Sequence, residues 1–353
     1  MTPLARRALT LVALALLNGC SSLGYYSQLA SGQLHVLQAR EPVAKVIADP
    51  QRPAALRQQL VKAQAARTFA SQHLHLPDNP SYRVYADLKR PYVVWNVFAT
   101  PPFSLNPVTH CFPIAGCVAY RGYYSVGGAR GEAALQNQQG MDVFVGGVEA
   151  YSTLGWFDDP ILNTMLSWCD ERLASVIFHE LAHQRFYVKD DTEFNESFAT
   201  FVEQEGTRQW RARQGLPSPD MRAVQQRDQF IGLVLQTRQR LQQLYAQPLT
   251  APQMRQRKAE EFERMREAYR QLRDQQWGGN TRFDAWVYAP MNNAKLLPFG
   301  LYDQWVPGFA ALFKNSDGDW QTFYHAVEQL AKQPAEQRKA TLRQLAAAQT
   351  ATS

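Results

Sequence analysis

Apolar positions recur at helical spacing along most of this chain and alternate over one stretch only, which sets the expected architecture. Residues 25–75 are helix-like, rich in Gln and Ala and punctuated by Pro42, Pro50 and Pro53. Between 81 and 99 the character changes. Tyr82-Arg83-Val84-Tyr85-Ala86 and Tyr92-Val93-Val94-Trp95-Asn96-Val97-Phe98 read as strands. A Pro-rich loop over 100–117 follows, with further strands expected at Tyr120 to Tyr124 and at Asp142-Val143-Phe144-Val145, the last running on through Gly146 to Gly155.

From Asp170 the helical period returns. Leu173, Val176, Ile177, Leu181 and Phe186 form one apolar stripe, and the acids Asp170 and Glu171 suit a helix N-terminus. Lys189-Asp190-Asp191-Thr192 reads as a turn. Asp191 or Thr192 is the expected cap of a second helix that runs to about Gln214 and stops at Gly215. Residues 221–246 and 252–277 are long polar helical runs broken by Gln247-Pro248-Leu249-Thr250-Ala251-Pro252, the pattern of a projecting antiparallel hairpin. A mixed, aromatic-rich segment over 281–313 and a helical tail over 319–347 complete the chain, without internal repeats. The expectation is an α+β fold, mostly helical. It has a small mixed or antiparallel sheet whose edge strand precedes a two-helix core, and the long hairpin is added to it.

The candidate chemistry lies on those two helices. His179-Glu180-Leu181-Ala182-His183 places two imidazoles four residues apart, on one helical face, where both can hold one metal ion. Glu180 sits beside the first of them, within reach of a water on that metal. A carboxylate from the second helix would make three protein ligands and leave a fourth position open, as in catalytic zinc sites. Glu193, Glu196, Glu203 and Glu205 all lie downstream, and Glu203 shares a face with Glu196. Spacing alone therefore leaves the third ligand open.

HELAH followed by Asn195-Glu196-Ser197-Phe198-Ala199 resembles the gluzincin class of zinc peptidases, whose second helix carries a ligand Glu after an Asn. The resemblance implies one Zn2+ held by His179, His183 and Glu196, with Glu203 outside the ligand set. Aminopeptidases of that class also place a Glu on the strand before the metal helix to bind the substrate amine. Glu149 in Gly-Val-Glu-Ala resembles it, although the usual Gly-x-Met-Glu-Asn signature is not kept. A wider resemblance is to a bacterial family of lipoproteins described as predicted aminopeptidases. It rests on the lipobox described next, Cys-Phe-Pro-Ile-Ala-Gly-Cys, Tyr-Arg-Gly-Tyr at 120–123, HELAHQ, Asn-Glu-Ser-Phe-Ala and Asn292-Asn293-Ala294.

The N-terminus bears on compartment. Arg6 and Arg7 precede a short apolar run that ends in Leu17-Asn18-Gly19-Cys20, which resembles a lipobox. Residues 1–19 are then a lipoprotein signal peptide, and Cys20 is the lipidation site that tethers the chain to a membrane. Ser21 after that cysteine implies an outer-membrane protein facing the periplasm. In such an oxidising compartment Cys111 and Cys117, flanking a five-residue loop with Pro and Gly, are an expected disulfide. Cys169 is then an odd, buried thiol.

Composition adds little. The 353 residues are 45% hydrophobic and 12% aromatic, ample for a large core. The formal charge of +6 loses two with the signal peptide, and no basic block is interleaved with aromatics, which argues against nucleic-acid binding. The mature chain divides into an N-terminal helical segment at 20–80, a β-rich part at 81–160, metal-site helices at 161–220, a helical hairpin at 221–278 and a closing segment at 279–353.

The expected activity is that of a zinc-dependent aminopeptidase, hydrolysing peptide bonds by metal-activated water with Glu180 as general base. An electrophilic helper is sought between Tyr288 and Asp303, with Tyr302 as the candidate. Two alternatives are an envelope zinc endopeptidase, and a non-catalytic envelope lipoprotein whose hairpin binds a protein partner.

Overall fold

The computed structural model describes residues 23–112, 116–150, 152–153, 155–166, 170–217 and 221–351. The signal peptide, Cys20 and Cys169 lie outside the described residues. Helix α1 covers 23–38 and is followed by strand β1 (Arg40–Pro42), α2 (Val43–Ala48) and α3 (Ala54–His73). Strands β2 (Val84–Ala86), β3 (Val94–Thr100), β4 (His110–Phe112), β5 (Gly116–Val118) and β6 (Arg121–Tyr123) come next. Helix α4 (Val126–Gln138), β7 (Asp142–Val148) and β8 (Ile161–Leu162) lead to α5 (Asp170–Arg185) and α6 (Thr192–Arg213). The remainder is helical: α7 (Met221–Tyr245), α8 (Ala251–Gln271), α9 (Asp284–Tyr288), α10 (Leu297–Tyr302), α11 (Val306–Asn315), α12 (Trp320–Ala331) and α13 (Ala335–Ala351). The α+β class, mostly helical with small sheets, holds.

The strands form three pieces. β2 sits between antiparallel β1 and parallel β8, β3 sits between antiparallel β6 and β7, and β4 pairs with β5 as a hairpin. Cys111 and Cys117 face each other across that hairpin and are joined by a disulfide. In the β6-β3-β7 sheet, alternate residues face opposite sides. Val97, Tyr123, Val143 and Val145 pack with α1 and α4, whereas Phe98 and Phe144 pack with Leu297 and Tyr302 on the other side. β7 is an edge strand, but it ends at Val148 and does not run on to Gly155 as expected.

The main core joins α3, α5, α6, α11, α12 and the first sheet. Both metal-site helices form for local reasons. Asp191 caps α6 by accepting from Phe194 N at 3.2 Å, and Gly215, at φ 62°, takes the left-handed position that ends the helix after Gln214. Gly206 lies where α6 passes the end of α3 and α5. A Cβ there would stand 2.7 Å from Leu74 Cδ1 and 3.1 Å from Phe178 Cδ2, so glycine is what lets α6 lie this close to α5 and the end of α3.

The hairpin expectation also needs correction, and one helix was missed. The α7–α8 hairpin is not a bare projecting arm. Phe230, Val234, Leu241, Met265 and Tyr269 bury a second core together with Val287 and Leu296, and Arg238 donates to Leu296 O at 3.0 Å. Helix α4 went unseen because Gly127, Gly128 and Gly131 weaken its helical signature; Ser125 nevertheless caps it by accepting from Gly128 N at 3.1 Å.

Candidate metal centre

His179 and His183 emerge from one face of α5 and meet Glu196 from the second turn of α6. All three are buried. The ligand atoms form a near-equilateral triangle: His179 Nε2 to His183 Nε2 is 3.2 Å, and Glu196 Oε2 lies 3.4 Å from the first and 3.5 Å from the second. A tetrahedral ion with bonds of about 2.0–2.2 Å has ligand–ligand edges of roughly 3.3–3.6 Å. The three groups therefore fit one metal ion without rearrangement, and among the described residues they are the His/Cys/Asp/Glu group close enough to hold one.

The charge balance points the same way. Burial opposes ionisation of Glu196, but the charge of His183 and hydrogen bonds from both imidazoles outweigh it and hold the carboxyl at about 2. Burial also opposes a charged His179, but Glu196 and Glu203 push its pKa well above the ordinary value. The buried Glu196 between the imidazoles, with the part-exposed Glu203 behind His179, thus favours positive charge at this pair, whether a proton or a metal ion supplies it.

Glu203 is held away from the triangle and engages His179 from behind, Oε2 to Nδ1 at 3.1 Å. A carboxylate on the far nitrogen fixes the tautomer and ring plane and leaves Nε2 free for a metal. Replacing it with Gln should weaken metal affinity, read with zinc, by about 10- to 100-fold. Competition with a chelating dye would read this, and activity at saturating zinc should stay close to that of the parent.

The rest of the site is a cavity of about 350 Å3 above the triangle. Glu180 lines it; burial pushes this carboxyl up to about 7, although His179 and His183 pull it down. Tyr302 also lines it, with its ring stacked on His179 at 6.2 Å between centroids. Burial and the nearby charge of Glu196 hold the Tyr302 phenol well above its ordinary pKa, so it stays protonated. Glu180, Tyr302 and the triangle are therefore brought together.

Glu149 is not. Val148 and Ala150 line the cavity, and the residue between them faces away, with its carboxylate 3.6 Å from Arg172. Alternation at the end of a strand is the physical reason.

Three residues of the site escaped sequence reasoning. Tyr120 lines the cavity, and burial with the charge of Glu196 raises its phenol too. Gln184, directly after His183, donates to Asp159 Oδ2 at 2.8 Å and accepts from Asn79 at 2.7 Å, pinning the loop after β7 to α5. Asn195 closes the α5–α6 connection by accepting from Val188 N and donating to Val188 O, each at 2.7 Å. HELAHQ and Asn-Glu already contained these last two as neighbours of ligands, which was the available signal.

Comparison with curated proteins gave no match, nor did comparison with solved structures. A family model described as "putative aminopeptidase" matches residues 24–342, a span that takes in both metal-site helices, the edge strand, the hairpin and the segment carrying Tyr302. The chain belongs to that aminopeptidase family.

Proposed function

We propose that the protein is a zinc-dependent peptidase of the gluzincin type, acting as an aminopeptidase. The observation that carries this is the buried triangle of His179, His183 and Glu196, with Glu180 and a phenol opening onto the same cavity. Zinc, two imidazoles and a carboxylate are a common catalytic combination; when bound there, the ion would polarise a carbonyl and acidify water. Glu180 takes the proton of the attacking water and returns it to the leaving amine. Its carboxyl lines the cavity beside the triangle, the position a general base needs. Tyr302 donates its phenolic hydrogen to the developing oxyanion. An extended peptide adds to the free side of β7, whose one partner among the described residues is β3.

Membrane tethering at Cys20 and an outer-membrane, periplasm-facing location remain part of the proposal. Their support is the sequence of residues 1–22 together with the Cys111–Cys117 disulfide, which suits an oxidising compartment.

One observation favours endopeptidase action instead. The acids lining the cavity, Glu180 and Glu196, both have other tasks, and Glu149 faces away, so no spare carboxylate meets a substrate amine among the described residues. Matched peptides with free and acetylated N-termini decide. An aminopeptidase cleaves only the free one, an endopeptidase cleaves both, and cleavage of neither by zinc-loaded protein overturns the peptidase reading.

A further inference from the structure

Lys295 is 5% exposed, yet it has no counter-ion among the described residues. Its ammonium donates to Trp286 O at 2.7 Å and Pro290 O at 3.3 Å and stands 4.8 Å from the centroid of the Trp286 ring. No carboxylate among the described residues pairs with it. Burial, with Arg266 as the charged neighbour, holds its pKa below that of an ordinary lysine. Buried ammonium groups are normally paired with a carboxylate, whereas this one is met by two neutral carbonyls and an aromatic face.

The lysine is also held firmly in place. Its backbone N–H donates to Asn292 Oδ1 at 3.0 Å, and Asn292 Nδ2 donates to Val143 O at 2.8 Å. Asn293 is fully buried; its Nδ2 donates to Pro102 O and Ser104 O, and its Oδ1 accepts from Tyr245 at 2.7 Å. The Asn-Asn pair thus fixes the turn that carries Lys295 against the start of β7.

Lys295 lines a cavity of about 470 Å3 with aromatic walls that include Phe98, Phe144 and Phe299. This cavity runs along Val145 to Val148 of β7 and shares Asn96, Val148 and Tyr302 with the cavity above the metal triangle. A peptide laid on β7 across the triangle would therefore place a neighbouring group in it.

We propose that this cavity is the subsite for a substrate carboxylate, with Lys295 as its counter-ion. The aromatic walls take the apolar stem beside the carboxylate. The inference rests on the peptidase reading. The carboxylate is either the C-terminus of a short peptide or the side chain of an acidic residue, since both present the same group to the ammonium.

The test uses the zinc-loaded full chain and three peptides with one common cleavable bond. The first ends in a free carboxylate, the second in an amide, and the third in an amide with a Glu beside the cleavable bond. The parent should cleave one carboxylate peptide about 10-fold or more better than the neutral amide in kcat/KM, the scale of one hydrogen bond between charged groups. Which of the two is preferred identifies the source. Lys295→Met should bring that ratio to near unity, a change a merely structural lysine would not cause, and Lys295→Arg should retain part of it. If Lys295→Met does not fold, the Arg variant and the parent ratio carry the decision. Equal cleavage of all three peptides by the parent, or an unchanged ratio in a folded variant, overturns this inference alone. Cleavage of none overturns the peptidase reading and this inference with it.

Discussion

Replacing Glu180 with Gln should lower kcat/KM about 10³- to 10⁴-fold while leaving one zinc ion bound per chain. The amide preserves volume and cannot accept the proton of water, and loss of a general base removes a factor of that size, about 4–5 kcal/mol of barrier. Metal retention follows because Glu180 contributes no corner of the ligand triangle. The matched control is His183→Ala, which removes a corner and should lose zinc and turnover together. Metal analysis beside single-turnover kinetics separates the two variants. Full activity in the Gln variant would exclude Glu180 as the base.

Phe198→Ala should have the largest effect on stability. Phe198 is fully buried and packs against Phe186, Phe309, Phe323 and Tyr324 at 5.8–6.2 Å between centroids. It ties α6 to α11 and α12. Deleting such a ring costs about 3–5 kcal/mol, through lost burial and the cavity left behind. At roughly 2–4 °C per kcal/mol for a large domain, Tm should fall by about 6–20 °C. Phe198 lies two residues beyond Glu196, so zinc affinity should fall as well. A calorimetric scan with and without zinc checks both, and an unchanged Tm would place the main core elsewhere.

What could be read in advance was whatever depends on neighbours along the chain. The α5 stripe, the Asp191 cap and the Gly215 stop are local signals, and the helices formed as those signals specify. His179 and His183 were legible as a pair because four-residue spacing fixes a shared face. Glu203 was legible only as a residue on the correct face; its hold on His179 Nδ1 required the distance between two helices. Glu149 faces away because alternation sets it opposite to Val148 and Ala150, and which set of β7 residues meets the cavity depends on packing distant in sequence. Tyr120 and Lys295 gave no local signal at all. One is delivered by β6 and its preceding turn, the other by a turn pinned from more than a hundred residues away.

Gly206 makes the metal triangle a dimension of the fold. Edges of 3.4 and 3.5 Å between groups on α5 and α6 leave little slack, and a Cβ at Gly206 would press on Leu74 and Phe178 beside this pair of helices. On the proposed reading, ion capture would then gauge helix separation. Any swelling of the core that parts these helices by a few tenths of an ångström would be registered first as leakage of the ion, while most secondary structure still stood.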